Sequence, residues 1–169
     1  MAGRGSSAVG LAAAGLLAAV ALGGCAGSSA QPGAVTFYDE HGQQAVRVGS
    51  SVRAVEAEVG ALSRPPTKRQ LASIAKGAQR ASESVAAELR GWTVNENAEG
   101  EELPTIETQI SEGAGDLKNA MAGLATYAGN PSASALVPYT SYLNSARGKW
   151  NEGVTQLWHV VKRADPPTV

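Results

Sequence analysis

The sequence has few cysteine, histidine and aromatic residues. Its single cysteine excludes an internal disulfide framework and a zinc site built from cysteines. Two histidines leave little material for a histidine-rich metal centre. Aromatic residues make up only 5% of the chain, so a core must consist mainly of small and aliphatic side chains. The length of 169 residues fits one domain with additional segments.

The sequence also lacks an excess of either charge and the motifs of common enzymes. Fourteen basic and 15 acidic residues nearly cancel, which argues against a nucleic-acid-binding protein. Nothing resembles a nucleophile elbow or a glycine-rich phosphate loop, and two histidines offer few candidates for a general base. We therefore predict no catalytic residues and no enzymatic activity. An enzyme whose site has no sequence signature is a third, weaker alternative to the functions considered below.

The first 24 residues differ from the rest of the chain. Arg4 is the only charged residue before Asp39, and residues 8–22 form an uninterrupted apolar run. A short positive start followed by an apolar stretch of this length is typical of a secretory signal peptide. The run is shorter than the roughly 20 residues of a membrane span. Extended to Ala26 it would reach a marginal span, so an uncleaved anchor is the alternative.

The sole cysteine directly follows the apolar run, in Leu22-Gly23-Gly24-Cys25. This sequence resembles the lipobox of bacterial lipoproteins. The resemblance implies cleavage before Cys25, a thioether-linked diacylglycerol on its sulfur and an amide-linked acyl chain such as palmitate. Two or three acyl chains anchor a protein stably, whereas one holds it only marginally. We therefore expect an exported protein, anchored to the extracytoplasmic face of the cell membrane.

Two further points bear on the source and on this location. The usage of many alanines and glycines with few lysines is similar to that of a high-GC bacterium, such as an actinobacterium. The alternative to the lipoprotein assignment is a secreted protein with an unmodified cysteine. We expect no cofactor apart from the lipid on Cys25.

The predicted mature chain consists of a tether, a helical domain and a short tail. Residues 25–35 comprise the lipidated cysteine and small, uncharged residues that form a flexible tether. Residues 36–165 contain four segments with the apolar spacing of amphipathic helices, separated by short breaks. The fold class predicted is all-α, an antiparallel up-down-up-down four-helix bundle. Residues 166–169 are expected to form a C-terminal tail outside the bundle.

The four apolar stripes define the expected core. Small residues on them, Ala78, Gly113 and Ala146, predict close approach of helix axes. The stripes are Val48, Val52, Val55, Val59 and Leu62; Leu71, Ile74, Ala78, Ala81, Val85, Leu89 and Trp92; Leu103, Ile106, Ile110, Gly113, Leu117, Met121 and Leu124; and Leu136, Tyr139, Leu143, Ala146, Trp150, Val154, Leu157 and Val161.

Local signals predict where each helix begins and ends. Thr36-Phe37-Tyr38-Asp39 and Thr67-Lys68-Arg69-Gln70 both have the spacing of a capping box. Pro104 is tolerable only in a first turn, which places the third helix start near it. Pro138 likewise places the regular start of the fourth helix, and Asp165-Pro166-Pro167 is expected to end it.

The predicted topology separates the charges between the two ends of the bundle. Arg64, Lys68 and Arg69, here called the basic tip, lie at the pole distant from the tether, and Lys76 and Arg80 follow them. The basic tip is a candidate surface for an envelope protein or an anionic polymer, and ordinary solvated helix ends are the alternative. The pole near the tether is acidic, with Glu96, Glu99, Glu101 and Glu102.

The two histidines suggest a second candidate site. His41 near the start of the first helix and His159 near the end of the fourth fall in one layer, where a carboxylate of Asp39 or Glu102 could join them. Such a set could bind a metal or a haem. The alternative is that both are surface or boundary residues, and we predict no metal site. The aromatic residues could line a ligand cavity or belong to the core: Trp92, Trp150, Trp158, Tyr127, Tyr139 and Tyr142.

The sequence thus favours a lipid-anchored, non-catalytic binding module of the cell envelope. Its expected partners are the membrane, through the anchor, and an envelope protein or anionic polymer, but not nucleic acid. The alternative function is a carrier of a small ligand, metal or haem, with its site between the first and fourth helices.

Overall fold

The computed structural model describes residues 32–88 and 102–169. The predicted signal peptide, Cys25 and the acidic residues from 96 to 101 lie outside the described residues, as does Trp92. The described chain contains four helices, α1 (Pro32–Gly60), α2 (Lys68–Glu88), α3 (Glu102–Gly129) and α4 (Ala133–Val160), and no strand.

The four helices form the predicted antiparallel bundle. The middle of α1 lies against the end of α2, where Arg47 and Glu88 form an ion pair of 2.7 Å. The start of α1 lies against the end of α4, where the rings of Tyr38 and Trp158 meet edge to face at 4.9 Å. On α3 and α4, Ser145 donates a hydrogen bond of 2.7 Å to Asp116. Up-down-up-down order is therefore confirmed for the described helices.

The apolar stripes read from the sequence form the core. All seven residues of the α3 stripe are buried, and so are those of the α4 stripe between Tyr139 and Leu157. At the distant pole Val59, Leu62 and Leu136 are only partly buried and pack against this core. Most core residues are aliphatic or alanine, as the scarcity of aromatics requires, and Trp150 is the largest fully buried side chain.

Helix α1 begins earlier than the sequence analysis expected. The helix starts at Pro32, four residues before the predicted boundary at residue 36. The Thr36–Asp39 motif therefore lies inside the helix, where the backbone N–H groups already have helical partners and need no cap. Pro32 is the first helical residue, and proline suits this position because its fixed φ angle is already helical. Ala34 and Phe37 are buried and join this first turn to the core.

The start of α4 also differs from the prediction. Ser132 caps the helix, accepting a hydrogen bond of 3.1 Å from the backbone N–H of Ala135. Pro138 consequently lies inside the helix rather than at its start. Both Pro138 and Ser134, whose carbonyl loses its helical partner, are exposed. Water can therefore satisfy that carbonyl, which reduces the cost of proline at this position.

Helix α4 ends at Val160, before the Asp165-Pro166-Pro167 stop that the sequence predicted. The N–H of Arg163 donates to the carbonyl of Trp158 at 2.8 Å, and that of Lys162 donates to His159 at 3.1 Å. These two bonds define a Schellman motif, with Lys162 in the left-handed position that glycine usually occupies. Its φ angle is 56°. This turn reverses the chain before the prolines are reached.

Helices α3 and α4 approach each other closely at glycines. A Cβ atom on Gly113 would lie 2.5 Å from the backbone nitrogen of Trp150, and one on Gly123 would lie 2.9 Å from that of Tyr139. A Cβ on Gly153 would lie 2.7 Å from the side chain of Ile110. The close approach predicted at Gly113 is confirmed, and the pair α3–α4 forms the tightest seam of the described bundle.

Candidate functional site

The basic tip lies at the α1–α2 connection and the first turn of α2. Arg64, Lys68 and Arg69 are all exposed. The turn is held by the predicted capping box, because the N–H of Gln70 donates to Thr67 Oγ1 at 3.2 Å and the N–H of Thr67 donates to Gln70 Oε1 at 2.9 Å. The tip is thus presented on a rigid helix start.

Two further cations extend the basic tip along α2. Arg69, Lys76 and Arg80 are seven and four residues apart, which places them on one side of a helix. All three are exposed, and they span about 16 Å of the helix axis. The result is a linear row of positive charge rather than a single cationic point.

Among the described residues, these cations differ from five of the seven other Lys and Arg side chains, because no protein group partners them. Five other described cations have partners: Arg47 pairs with Glu88, Arg147 with Glu56, Lys149 with Glu112 and Asp116, Arg53 donates to the carbonyl of Thr168, and Arg163 lies over the ring of Tyr38. Within residues 32–88 and 102–169, neither the basic tip nor Lys76 and Arg80 form an ion pair or a side-chain hydrogen bond. Lys118 and Lys162 share this property but lie elsewhere on the bundle.

The basic tip places positive charge where it destabilises helix α2. The N-terminal end of a helix carries a partial positive charge, so cations there are repelled and acidic residues are preferred. Yet α2 has Lys68 and Arg69 in its first turn and no acidic residue. The two cations therefore act against the stability of the helix that presents them.

Contacts within the bundle shift the pKa values of other ionisable groups. The hydrogen bond from Arg47 lowers the pKa of Glu88. On α4, burial raises the pKa of Tyr139 to about 12, and the nearby carboxylate of Glu56 acts in the same direction. Because Glu56 is already paired with Arg147, these groups join α1 to α4 and have the arrangement of structural contacts.

Residues 166–169 occupy the gap between α1 and α4. Pro167 is buried, and its carbonyl oxygen accepts a hydrogen bond of 2.8 Å from the indole nitrogen of Trp150. Residues 166–169, predicted as a C-terminal tail after the bundle, are therefore packed against it. This segment fills the middle of the region where the alternative function, a ligand carrier, would place its site.

The two histidines have different surroundings. His41 is half-buried, its Nδ1 is 2.8 Å from the side-chain oxygen of Gln44, and its ring lies 4.7 Å from that of Phe37. His159 is exposed, because its neighbour Trp158 takes the inward position. The residues that the structure describes contain no cluster of three or more His, Cys, Asp or Glu side chains suited to a metal ion. Asp39 thus does not complete a described cluster with them, and the side chain of Glu102 lies outside the described part of the chain.

The described aromatic residues belong mainly to the core. Trp150, Trp158 and Tyr139 are buried, Tyr127 packs against the core from its edge, and Tyr142 is exposed. Open clefts occur elsewhere, between α1 and α2 beside Glu58 and between α2 and α3 beside Lys68. Neither cleft has an aromatic lining, so these residues do not form a common ligand cavity there.

Comparisons of the chain with protein families, with characterised proteins and with solved structures give no match. Separately, none of the helices within the described ranges is long and apolar enough to cross a membrane.

Four residues receive the segment 166–169: Gly49 and Arg53 on α1 and Trp150 and Asn151 on α4. The sequence patterns assigned Trp150 to the core and gave no role to the other three. One signal for this site is Gly49, a glycine inside an amphipathic helix and next to stripe residue Val48, where alanine would favour the helix more. Glycine at such a position indicates that another backbone approaches closely.

Proposed function

We propose that this protein is a lipid-anchored, non-catalytic binding module on the extracytoplasmic side of the cell membrane. In this proposal its basic tip contacts an anionic component of the cell envelope, either a polymer or an acidic protein surface. The anchor rests on the lipobox-like sequence ending at Cys25. The binding surface rests on the exposed, unneutralised cations of the described bundle.

The observation that carries the proposal is the concentration of free positive charge on one surface. Arg64, Lys68 and Arg69 are joined by Lys76 and Arg80, all exposed and all without a carboxylate partner in the described ranges. Since the first turn of α2 disfavours cations, selection for stability does not account for them. An anionic partner would neutralise both these charges and the positive helix end.

The position of the basic tip suits a partner away from the anchoring membrane. Helix α1 has 29 residues and is about 43 Å long, and the tip lies beyond its far end. Electrostatic attraction to lipid headgroups is screened over about 8 Å at physiological salt. When α1 points outwards from the tether, the tip is therefore too distant to be held by the anchoring membrane itself.

Binding to isolated cell envelope and to immobilised polyphosphate tests the basic tip. We expect Lys68→Gln/Arg69→Gln to weaken both interactions by about tenfold, with a smaller salt dependence, because fewer counterions are released. Lys118→Gln/Lys162→Gln is the matched control, since it also removes two exposed, unpaired positive charges. Equal binding by the two double variants would contradict the proposed surface.

Metabolic labelling with a radioactive fatty acid tests the anchor. We expect label on the exported protein and none on Cys25→Ala, which should leave the membrane fraction. Label that persists in Cys25→Ala, or an unmodified protein in the culture fluid, would contradict lipid attachment at this residue.

A further inference from the structure

The segment 166–169 lies in a groove whose floor is the backbone of α1. A Cβ atom on Gly49 would lie 2.6 Å from the carbonyl oxygen of Pro167 and 3.1 Å from its Cβ. Both distances are shorter than ordinary van der Waals contact, so only glycine permits this approach. The buried ring of Pro167 thus packs against Gly49, where the methyl group of an alanine would clash with it.

Two side chains bind the main chain of the segment from opposite sides of the groove. The indole nitrogen of Trp150 on α4 donates to the carbonyl of Pro167 at 2.8 Å. The guanidinium of Arg53 on α1 donates to the carbonyl of Thr168 at 2.6 Å. Both bonds are made to main-chain oxygens and are independent of side-chain identity at residue 168. Within the segment the N–H of Thr168 donates to the carbonyl of Pro166 at 2.8 Å, so the bound backbone forms a γ-turn centred on Pro167.

The side chain of Asn151 both donates a hydrogen bond to the main chain of Val169 and accepts one from it. Its side-chain nitrogen donates to the carbonyl oxygen of Val169 at 2.9 Å, and its side-chain oxygen accepts from the Val169 N–H at 2.8 Å. A carboxamide used in this way replaces a neighbouring strand. Main-chain hydrogen bonds combined with side-chain pockets are a recurring means by which proteins bind peptides.

The connection that leads from α4 into the groove is short and conformationally unfavourable. Lys162 has a φ angle of 56° and Asp165 one of 58°, so two of its five residues adopt the left-handed conformation without being glycine. The angle of Lys162 belongs to the Schellman turn that ends α4, whereas Asp165 lies directly before the segment. Release of the segment would allow Asp165 to return to an ordinary backbone angle, which opposes the docked position.

We propose that the groove between α1 and α4 is a peptide-binding site and that residues 166–169 are its intramolecular occupant. Its ligand is a peptide of a partner protein that adopts the same γ-turn, with proline at the place of Pro167 followed by two residues bound through their main chain. Binding of such a peptide displaces the segment without unfolding the bundle. The site is separate from the basic tip and does not depend on it.

Because residues 166–169 are tethered to the bundle, they compete with any added peptide for the groove. A short linker gives an effective concentration on the order of 1 mM. A peptide with the same sequence therefore half-occupies the intact protein only near about 1 mM, whereas a protein without the segment binds it at its intrinsic affinity. This difference is the measurable signature of an exchangeable occupant.

Fluorescence anisotropy with a labelled peptide of residues 164–169 tests the proposal. We expect a variant that ends at Asp165 to bind this peptide saturably, with one site, at least about tenfold more tightly than the intact protein. The same shortened variant carrying Gly49→Ala is the control and should lose the binding. A shortened protein that is folded by circular dichroism but does not bind, or that binds equally well with Gly49→Ala, would overturn the proposal.

Hydrogen exchange in the intact protein provides a second test that requires no shortened variant. The Val169 amide, whose N–H is bound by Asn151, should exchange at least about 100-fold faster than that of buried Leu117 on α3, because local release is easier than global unfolding. Equal protection of the two amides would mean that the segment leaves only when the bundle unfolds, and the proposal would fail. Both tests are independent of the basic tip.

Discussion

The seam between α3 and α4 makes Gly113→Ala a sharp test of the structure. The added methyl group would lie 2.5 Å from the backbone nitrogen of Trp150 and 2.7 Å from its Cα. Backbone atoms cannot rotate away, so the two helices would have to separate by roughly 1 Å, which weakens each dispersion contact along the seam by a quarter to a half. The nearby Gly115 has no such neighbour within 4 Å and provides a matched control on the same helix.

Two opposing contributions determine the expected change in the free energy of unfolding. Alanine is favoured over glycine in a helix by about 1 kcal/mol, and both substitutions gain this amount. Overpacking a core costs roughly 1–3 kcal/mol, and contact with the backbone places Gly113→Ala at the upper end. We therefore expect Gly113→Ala to lower the free energy of unfolding by about 2 kcal/mol and Gly115→Ala to raise it by about 1 kcal/mol.

Urea denaturation followed by far-ultraviolet circular dichroism measures both variants. The difference between them, about 3 kcal/mol, isolates the steric term because the gain in helix propensity cancels. The slope of the free energy with urea should be the same in both variants, since the surface exposed on unfolding is unchanged. A Gly113→Ala protein as stable as Gly115→Ala would refute the close approach of these two helices.

Three further predictions concern helix ends and one buried hydroxyl. Lys162→Gly should raise the free energy of unfolding by roughly 0.5–1 kcal/mol in thermal melts, because glycine accepts the left-handed angle; an equal gain from Lys162→Ala would assign the effect to charge instead. Thr67→Ala should cost about 1 kcal/mol by removing the acceptor for the Gln70 N–H, and an unchanged melting temperature would contradict the cap. The raised pKa of Tyr139, about 12, means that the folded protein keeps a proton that the unfolded chain releases. Stability should therefore fall as the pH rises from about 10 towards 12, and Tyr139→Phe should reduce this fall in denaturation curves measured across that range.

The features that the sequence predicted correctly are those set by neighbours along the chain. The stripe from Leu103 to Leu124 identified the buried face of α3, because a helix repeats every 3.6 residues. The Thr67–Gln70 cap was also predictable, since all its hydrogen bonds join residues three apart. The exposure of Arg64, Lys68 and Arg69 follows from the same reasoning.

The incorrect boundaries have a common physical cause. A capping motif at Thr36 and a proline at Pro138 are local signals, and in both places the helix continues through them. Burial of Ala34 and Phe37 extends α1, and solvent at the start of α4 relieves the effect of the proline. Similarly, α4 stops at a Schellman turn around Lys162, a residue that gives no signal for a left-handed angle.

The sequence by itself determined four amphipathic helices, their antiparallel order and the exposed cations at the start of α2. The lipid attachment at Cys25 and the acidic pole stay predictions, because those residues lie outside the described ranges. The periodicity also marked Gly113, which lies on the α3 stripe and meets Trp150, whereas Gly115 lies off the stripe and faces open space. Only the tertiary structure decided where residues 166–169 lie and that Gly49 meets Pro167. No periodicity reveals that contact, because it joins atoms far apart in the chain.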